Sequence, residues 1–273
     1  MDPLNRGAAP FGQDLWNRID EAAIRAAGDM LTGRRFLDVE GPFGLGLTAI
    51  EVGNDDYCRQ PAADEAGAVV SAAISVPMIR RAFNLSLRRL AGHTENNQPL
   101  DLTPVEDAAE AVARREEELV YHGQADFQLA GLLTAKGRLH LDGGDWSRID
   151  QALQDVLAAV TMLDDAGFRG PHALALSPRL YNGLFRRYEN SDLLQVEHLG
   201  RLCTRGIFKA PIDGGVVVDP RVGKLLIGRD LSAGFAAQDG IHCQCYVVES
   251  IVLRLDDARA VCTIATTQPA GAQ

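Results

Sequence analysis

One short segment, His242-Cys243-Gln244-Cys245, carries side chains that commonly bind metal ions. Imidazole and thiolate groups are typical zinc ligands, and a tetrahedral zinc site needs four ligands that converge. Residues 241–255, however, place their apolar side chains at alternate positions, as a β-strand does. In such a strand the two cysteines and His242 point to opposite faces. We therefore expect a structural strand here and no metal site.

A glycine-rich stretch, RRFLDVEGPFGLGLTAIEVG at residues 34–53, raises two possibilities, a phosphate-binding loop and a joint in the chain. The stretch lacks the Gly-Lys-Ser/Thr run of a P-loop. A dinucleotide-binding fingerprint also fails, because residue 49 is alanine and the turn does not lie between a strand and a helix. The residues therefore disfavour phosphate binding.

The remaining reactive side chains have structural explanations. Ser177 precedes Pro178, which is the pattern of a helix cap and not of a nucleophile. The paired carboxylates Asp164-Asp165 and Asp256-Asp257 fall at a predicted helix end and a predicted turn. No short ligand spacing links the six histidines, so the sequence specifies no reaction.

Composition narrows the class of protein. The chain has 273 residues, is 46% hydrophobic and carries a formal net charge of −10. Nucleic acids and anionic membranes select for clustered positive charge, so neither is expected as the main partner. The N-terminal residues include no long apolar core and no basic leader, and five unevenly spaced cysteines favour reduced thiols. We expect a cytoplasmic location.

Periodicity predicts both helices and strands. The predicted helices are residues 13–31, residues 103–123 with a capping box at Thr103-Pro104-Val105-Glu106, residues 145–166, and a short helix after Ser177. The predicted strands are residues 172–176, 216–218, 225–227 and 241–255, with residues 260–265 returning antiparallel to the last. This mixture predicts an α+β fold.

Residues 45–98 fit a compact core poorly. Residues 47–52 and 83–88 predict two strands, separated by a small and only patchily apolar segment. A long two-stranded ribbon is marginal in water when alone. We infer that its apolar residues need a partner outside the ribbon, which another copy of the chain would supply.

Several ordered motifs resemble the shell protein of an encapsulin nanocompartment, the linocin-like family with the fold of tailed-phage major capsid proteins. They are GRRFLDVEGPFG at residues 33–44, the strand FNLSL, GPHALALSP, LLIGRDLSAGF at residues 225–235 and YVVESIVLRL. The resemblance implies a peripheral domain from residues 1–44, 99–132 and 226–265, an extended loop from residues 45–98, an axial domain from residues 133–225 and a flexible tail from residues 266–273. The glycine-rich stretch would then be the joint at which the chain enters the extended loop.

The resemblance implies a structural function and not an enzymatic one. Shells of this family self-assemble, here with roughly 60 copies favoured, and enclose a cargo enzyme that is recognised by its C-terminal peptide. The cargo is commonly a dye-decolourising peroxidase or a ferritin-like iron oxidase. Two alternatives are a phage or prophage capsid subunit and a small cytosolic enzyme with a cysteine or metal site at residues 242–245.

The resemblance also implies two sites. The positions that match the family's cargo-peptide groove are Ile19, Ala23, Arg34, Asp38, Asp230 and Leu231. An internal ion pair between Arg34 and Asp38 is the alternative explanation for those two charges. The positions that match the fivefold pore loop are Tyr188, Glu189, Asn190, Ser191 and Asp192, whose acidic side chains would favour cations.

Some relatives carry a flavin stacked on an aromatic residue of the extended loop. The present chain has Arg88 and Arg89 at the matching place. We therefore expect no cofactor, with Tyr57 or Phe83 as the alternative aromatic platforms.

Overall fold

A computed structural model describes residues 2–53, 56–57, 60–187 and 192–266, with only the backbone of residues 56 and 57 described. The α-helices of these ranges are α1 (Gln13–Met30), α2 (Gly33–Phe36), α3 (Leu87–Asn96), α4 (Thr103–Tyr121), α5 (Gln151–Asp165), α6 (Pro178–Gly183) and α7 (Gln195–Leu202). One short 3-10 turn, Arg6–Ala8, precedes α1, and the others of the described ranges lie between strands, at Ala125–Phe127, Pro220–Val222 and Ala258–Ala260. None of these helices is long and apolar enough to cross a membrane.

The strands of the described ranges fall into three groups along the chain. The first group is β1 (Asp38–Glu40), β2 (Ala49–Glu51), β3 (Asp56–Tyr57), β4 (Val69–Val70), β5 (Ala73–Ser75) and β6 (Met78–Ser86). The second is β7 (Gly123–Gln124), β8 (Leu129–Ala130), β9 (Leu139–Gly143) and β10 (Ala173–Leu176). The third is β11 (Gly206–Lys209), β12 (Gly215–Val218), β13 (Gly223–Asp239), β14 (His242–Leu255) and β15 (Val261–Thr266).

Two sheets organise the protein. The first has the order β1-β13-β14-β6, with β1 parallel to β13 and the other pairs antiparallel. Helices α1 and α4 pack on this sheet. The second sheet has the order β11-β10-β12-β15-β9 and packs against α5. One continuous apolar core joins the two parts.

The predicted N-terminal helix is confirmed as α1. It buries Leu15, Trp16, Ile19, Ala23 and Ala27, which recur at helical spacing. The helix predicted at residues 103–123 is also confirmed, as α4, but the predicted capping box is wrong. Thr103 already lies inside the helix, and the N-cap residue is Leu102, whose apolar side chain makes no capping hydrogen bond.

The glycine-rich stretch follows the edge of the first sheet before it leaves the body. After β1, the Phe43 amide donates to the Ile227 carbonyl at 2.9 Å, and the Gly44 amide donates to the Gly228 carbonyl at 2.6 Å. Gly41 has φ +119°, and a Cβ atom there would lie 2.4 Å from the Ile227 oxygen. Glycine at residue 41 therefore lets the chain approach β13 this closely.

The predicted extended loop, residues 45–98, divides into two parts. Strands β2 and β5 pair with one another, as do β3 and β4, and we call residues 45–77 the ribbon. Strand β6 instead pairs with β14 along its whole length. Its residues Phe83 and Leu85 are buried in the main core together with Leu90 of α3. Residues 78–96 thus pack on the body, because alternate apolar side chains of β6 face the core.

The last strand differs from the sequence-based prediction. Residues 260–265 were expected to pair with the strand before them. Strand β15 instead pairs with β12 and β9, and so completes the second sheet. Apolar alternation predicts a strand but carries no information about which of two sheets receives it. The predicted tail beyond Thr266 lies outside the described residues.

Candidate functional site

A buried charge cluster joins four elements where α1 passes into α2. The Arg34 guanidinium of α2 donates from Nε and Nη2 to the two carboxylate oxygens of Glu116 on α4, at 2.7 and 2.8 Å. It also donates to Glu249 of β14, and through Nη1 to Asp230 of β13 at 2.9 Å. The side chains of Glu116 and Glu249 have no solvent exposure, whereas 56% of the Asp230 side chain is exposed. Arg34 thus connects a buried acidic pair to the surface.

The two buried carboxyl groups cannot both be ionised without a large cost. Burial and the neighbouring Glu116 raise the pKa of Glu249 far above its ordinary value. Glu249 Oε2 has no hydrogen-bond partner in the described part of the chain. The raised pKa favours a proton on Glu249, which removes the repulsion between the two acids.

A second buried network fixes the start of α2. The backbone amides of Thr32 and Gly33 both donate to Glu117 Oε1 at 2.9 Å. The Thr32 hydroxyl donates to the other oxygen of Glu117 and contacts the Tyr121 hydroxyl at 3.0 Å. Burial raises the pKa of Glu117. Since Glu116 and Glu117 are adjacent in α4, the two networks set the position of Arg34 together.

Beside this cluster lies the surface between α1 and β13, which we call the α1–β13 strip. At one end of the strip Arg6 forms a bidentate ion pair with Asp20 of α1, at 2.6 and 2.8 Å. The Arg6 Nε atom also donates to the Ala233 carbonyl of β13 at 2.9 Å. The Arg34–Asp230 ion pair lies at the other end of the strip.

The predicted apolar residues of the cargo groove occupy different depths. Ile19 and Ala23 are completely buried in the main core. Leu231 is half-buried beside Asp230. Ile24, which the sequence analysis did not single out, is 61% exposed. It follows Asp20 by one helical turn, so it lies on the side of α1 that faces β13.

Arg34 and Asp38 do not form the ion pair that was considered as the alternative explanation for their charges. Asp38 pairs with Arg205, where the Nη2–Oδ1 distance is 2.6 Å. In the sheet, Asp38 lies opposite Lys224, six positions before Asp230 in β13. The structure therefore brings Arg34 and Asp230 together and holds Asp38 in a separate contact, between the first sheet and the segment that precedes β11.

The predicted pore loop lies largely outside the described residues. Tyr188, Glu189, Asn190 and Ser191 are not described, and Asp192 is exposed. Of the two aromatic platforms considered for a flavin, Phe83 is buried in the core and offers no free ring face. The side chain of Tyr57 lies outside the described residues.

The cysteines of β14 lie on its buried face, as the alternation predicts. Cys243 and Cys245 are fully buried, whereas His242 is exposed. Burial raises the pKa of both thiols, to about 12 for Cys245. Among the described residues no group of three or more histidine, cysteine or acidic side chains could hold a metal ion.

The arrangement of two sheets, the long helix α4 and the paired strands of the ribbon is the fold of capsid proteins. A virus-like particle of Pyrococcus furiosus superposes with a TM-score of 0.72 at 21% identity, covering 92% of this chain and 99% of that one. The capsid protein of the myovirus XM1 gives a TM-score of 0.60 at 16% identity, over 86% and 90% of the two chains. The protein thus has a phage-capsid-like α+β fold.

Sequence relationships identify the family within this class. The family model described as encapsulating protein for peroxidase matches residues 1–252. The type 1 encapsulin shell protein EncA of Myxococcus xanthus is 31% identical over 278 residues, covering 96% of both chains. A type 1 encapsulin shell protein of Rhodococcus erythropolis is 30% identical over 97% of this chain and all of its own.

The chain therefore belongs to the encapsulin shell-protein family. Its relatives are named as encapsulin shell proteins, so it is a shell protein that assembles with copies of itself and not an enzyme. This sets aside the small cysteine or metal enzyme considered for residues 242–245.

Proposed function

We propose that copies of this chain close into an icosahedral shell of roughly 60 subunits that encloses a cargo enzyme. The ribbon is the observation that carries this proposal. Within the described residues its strands hydrogen-bond in pairs with one another, and Val69 and Val70 are 52% and 59% exposed. The base of the ribbon packs on the first sheet, where Val76 clusters with Leu226 and Val252. Beyond this base, a two-stranded ribbon is marginal in water when alone. Burial against a neighbouring copy would cover its apolar side chains.

Deletion of residues 54–76 tests the assembly. We expect the shortened protein to fold but not to close, because the contact between neighbours is lost. Negative-stain microscopy and size-exclusion chromatography report the outcome. Val69→Thr combined with Val70→Thr is a milder variant that keeps the side-chain shape and removes apolar area. Intact particles from the deletion would show that the ribbon does not hold neighbours together.

The cargo would dock on the α1–β13 strip through its C-terminal peptide. Ile24 and Leu231 would supply apolar contacts, with Ile19 and Ala23 as the buried layer beneath them. Arg34, Asp38 and Asp230 are the charged residues for which we predict a role in docking. Several copies of a docked peptide on an oligomeric cargo would add avidity.

A peroxidase or a ferritin-like iron oxidase is the expected cargo, in a cytoplasmic compartment. The description of the matching family model names a peroxidase as what is encapsulated, and a relative in Kuenenia stuttgartiensis is named as a fusion of a diheme cytochrome with an encapsulin shell. That relative is 29% identical over 93% of this chain and 73% of its own. Mass spectrometry of shells purified from the host identifies the cargo. Removal of the C-terminal peptide from that cargo should empty the shells.

The acidic segment from Tyr188 to Asp192 would line the fivefold pore and favour the passage of cations. Glu189→Gln combined with Asp192→Asn should slow the entry of ferrous ion into assembled shells. An iron-responsive dye enclosed in the shell measures the rate. An unchanged rate would place the ion path elsewhere.

A further inference from the structure

The acidic residues around Arg34 leave this guanidinium little capacity to bind a partner. An arginine side chain has five N–H groups. Four of them in Arg34 donate to Glu116, Glu249 and Asp230. Only 19% of the Arg34 side chain is exposed. The neighbouring Arg35 turns away and donates to the Gly28 carbonyl of α1 at 2.9 Å.

Asp230 is placed differently. Its Oδ1 atom accepts from Arg34 and from the Leu231 amide, at 2.9 Å in both cases. Its Oδ2 atom accepts no hydrogen bond from any residue in the described ranges. More than half of the side chain faces solvent. The Asp230 carboxylate is therefore held in one orientation, and its Oδ2 atom can accept a hydrogen bond from a partner.

The charges of the cluster favour a cationic partner. Arg34 is the single basic side chain of the cluster, and it pairs with three acidic side chains, those of Glu116, Glu249 and Asp230. Acidic groups therefore outnumber basic groups in the cluster, even when one of the two buried acids is protonated. At the other end of the strip the Arg6–Asp20 pair is neutral. An incoming carboxylate would meet repulsion from Asp230 before it reached Arg34, whereas an ammonium or guanidinium group would be attracted.

We propose that Glu116 and Glu249 are positioning residues that hold Arg34 inside the protein, so that the strip presents the Asp230 carboxylate and the docking peptide contributes a cation. This inference rests on the proposed function, in which a cargo peptide docks on the α1–β13 strip. It assigns opposite roles to two residues of the predicted groove. Asp230 contacts the peptide, and Arg34 acts through Asp230.

The test uses a fluorescent reporter protein that ends in the C-terminal segment of the cargo identified in native shells. Four reporters are co-expressed with the shell: the unchanged segment, no segment, the segment with its lysines and arginines replaced by glutamine, and the segment with its acidic residues replaced by the amides. Reporter fluorescence per assembled shell measures loading. We expect the loss of cations to lower loading about tenfold, the effect of one charge-assisted hydrogen bond. Removal of acidic groups should not lower it.

Shell variants assign the roles. Asp230→Asn should lower loading of the unchanged reporter about tenfold and abolish the release of reporter by added salt, because the screened ion pair is gone. Glu249→Ala should also lower loading, and Glu249→Gln should restore it, since the amide oxygen of glutamine can accept the hydrogen bond that Arg34 donates to Glu249. Glu118→Gln, on the exposed side of α4, is the matched control and should load normally.

The outcomes separate the two proposals. If the reporter without a segment loads as well as the others, cargo does not dock through its C-terminal peptide. The proposed function and the inference that rests on it are then both refuted. If the segment is required but its acidic residues carry the loading, Arg34 is the contact and the inference alone is overturned. The inference is also overturned if the Asp230→Asn shell takes up more reporter than the parent shell. The same holds if Glu249→Ala and Glu249→Gln shells lose reporter loading equally.

Discussion

Replacement of Glu249 by glutamine should change the pH dependence of stability. The folded protein holds Glu249 as a neutral acid, because burial and the charge of Glu116 raise its pKa to about 10. In the unfolded chain the same group ionises near its ordinary value of 4.5. Folding therefore binds a proton between these two pH values. The contribution of Glu249 to stability is complete below the lower pKa and is lost as the pH rises towards the upper one.

The size of the effect follows from linkage. One proton bound on folding changes the free energy of unfolding by about 1.4 kcal/mol for each pH unit. Between about pH 5 and about pH 8 the upper limit is ~4 kcal/mol. Glutamine is neutral in both states and can donate to Glu116 in place of the acid. Glu249→Gln should therefore be the more stable protein at about pH 8, and its stability should depend less on pH.

Guanidinium denaturation measures this prediction, with fluorescence of the buried Trp16 and Trp146 as the signal. The parent and the variant are compared at one protein concentration, because assembly also contributes to stability. Glu118→Gln, an exposed carboxylate of the same helix as Glu116, serves as the control and should keep the parent's pH dependence. If parent and Glu249→Gln lose stability equally between the two pH values, Glu249 is ionised in the folded state and the reasoning fails.

Three further predictions follow from the same structure. Arg34→Ala leaves the buried Glu116 side chain without its cation and should destabilise the protein by roughly 3–5 kcal/mol, measured as the shift in denaturation midpoint. An Arg34→Ala protein as stable as the parent would show that the buried acids need no cation. Gly41→Ala forces a side chain to within 2.4 Å of the Ile227 oxygen at φ +119°, and should cost roughly 1–3 kcal/mol, visible as a lower melting temperature; Gly7→Ala, where nothing lies within 4 Å, is the control. The cysteines within the described residues are buried, and burial raises the pKa of each: Cys203, Cys243, Cys245 and Cys262. They should resist a thiol reagent at about pH 8 until the protein is denatured, and rapid labelling of these residues in intact shells would contradict their burial.

The sequence patterns of α4 and β14 already place two acidic residues at buried positions. Glu116 falls on the apolar face of α4, between Val112 and Leu119, and Glu249 falls among the alternate buried positions of β14. A charged residue in an apolar stripe predicts a buried charge that needs a partner. The patterns did not identify that partner. Arg34 reaches both acids from a separate helix, and only the packing of α2 over the sheet reveals this.

Local signals predicted individual elements well. The Ser177-Pro178 pair does begin α6, where the Ser177 hydroxyl accepts from the Leu180 amide at 3.4 Å. The alternation of residues 241–255 correctly predicts β14 and its buried cysteines. Partner choice was predicted less well. Strand β6 was assigned to the extended loop and β15 to the sheet of β14, because alternation describes one strand and says nothing about its neighbour.

The sequence by itself determined α1, α4, α5 and α6, strands such as β10 and β14, and, through its ordered motifs, the family. Periodicity and capping are local properties, and each depends on residues close together in the chain. Tertiary structure alone decided that β15 completes the second sheet, that Asp38 pairs with Arg205, and that Arg34 lies between three acids. The energies of these contacts depend on distance and burial between segments far apart in the chain, which local patterns do not encode.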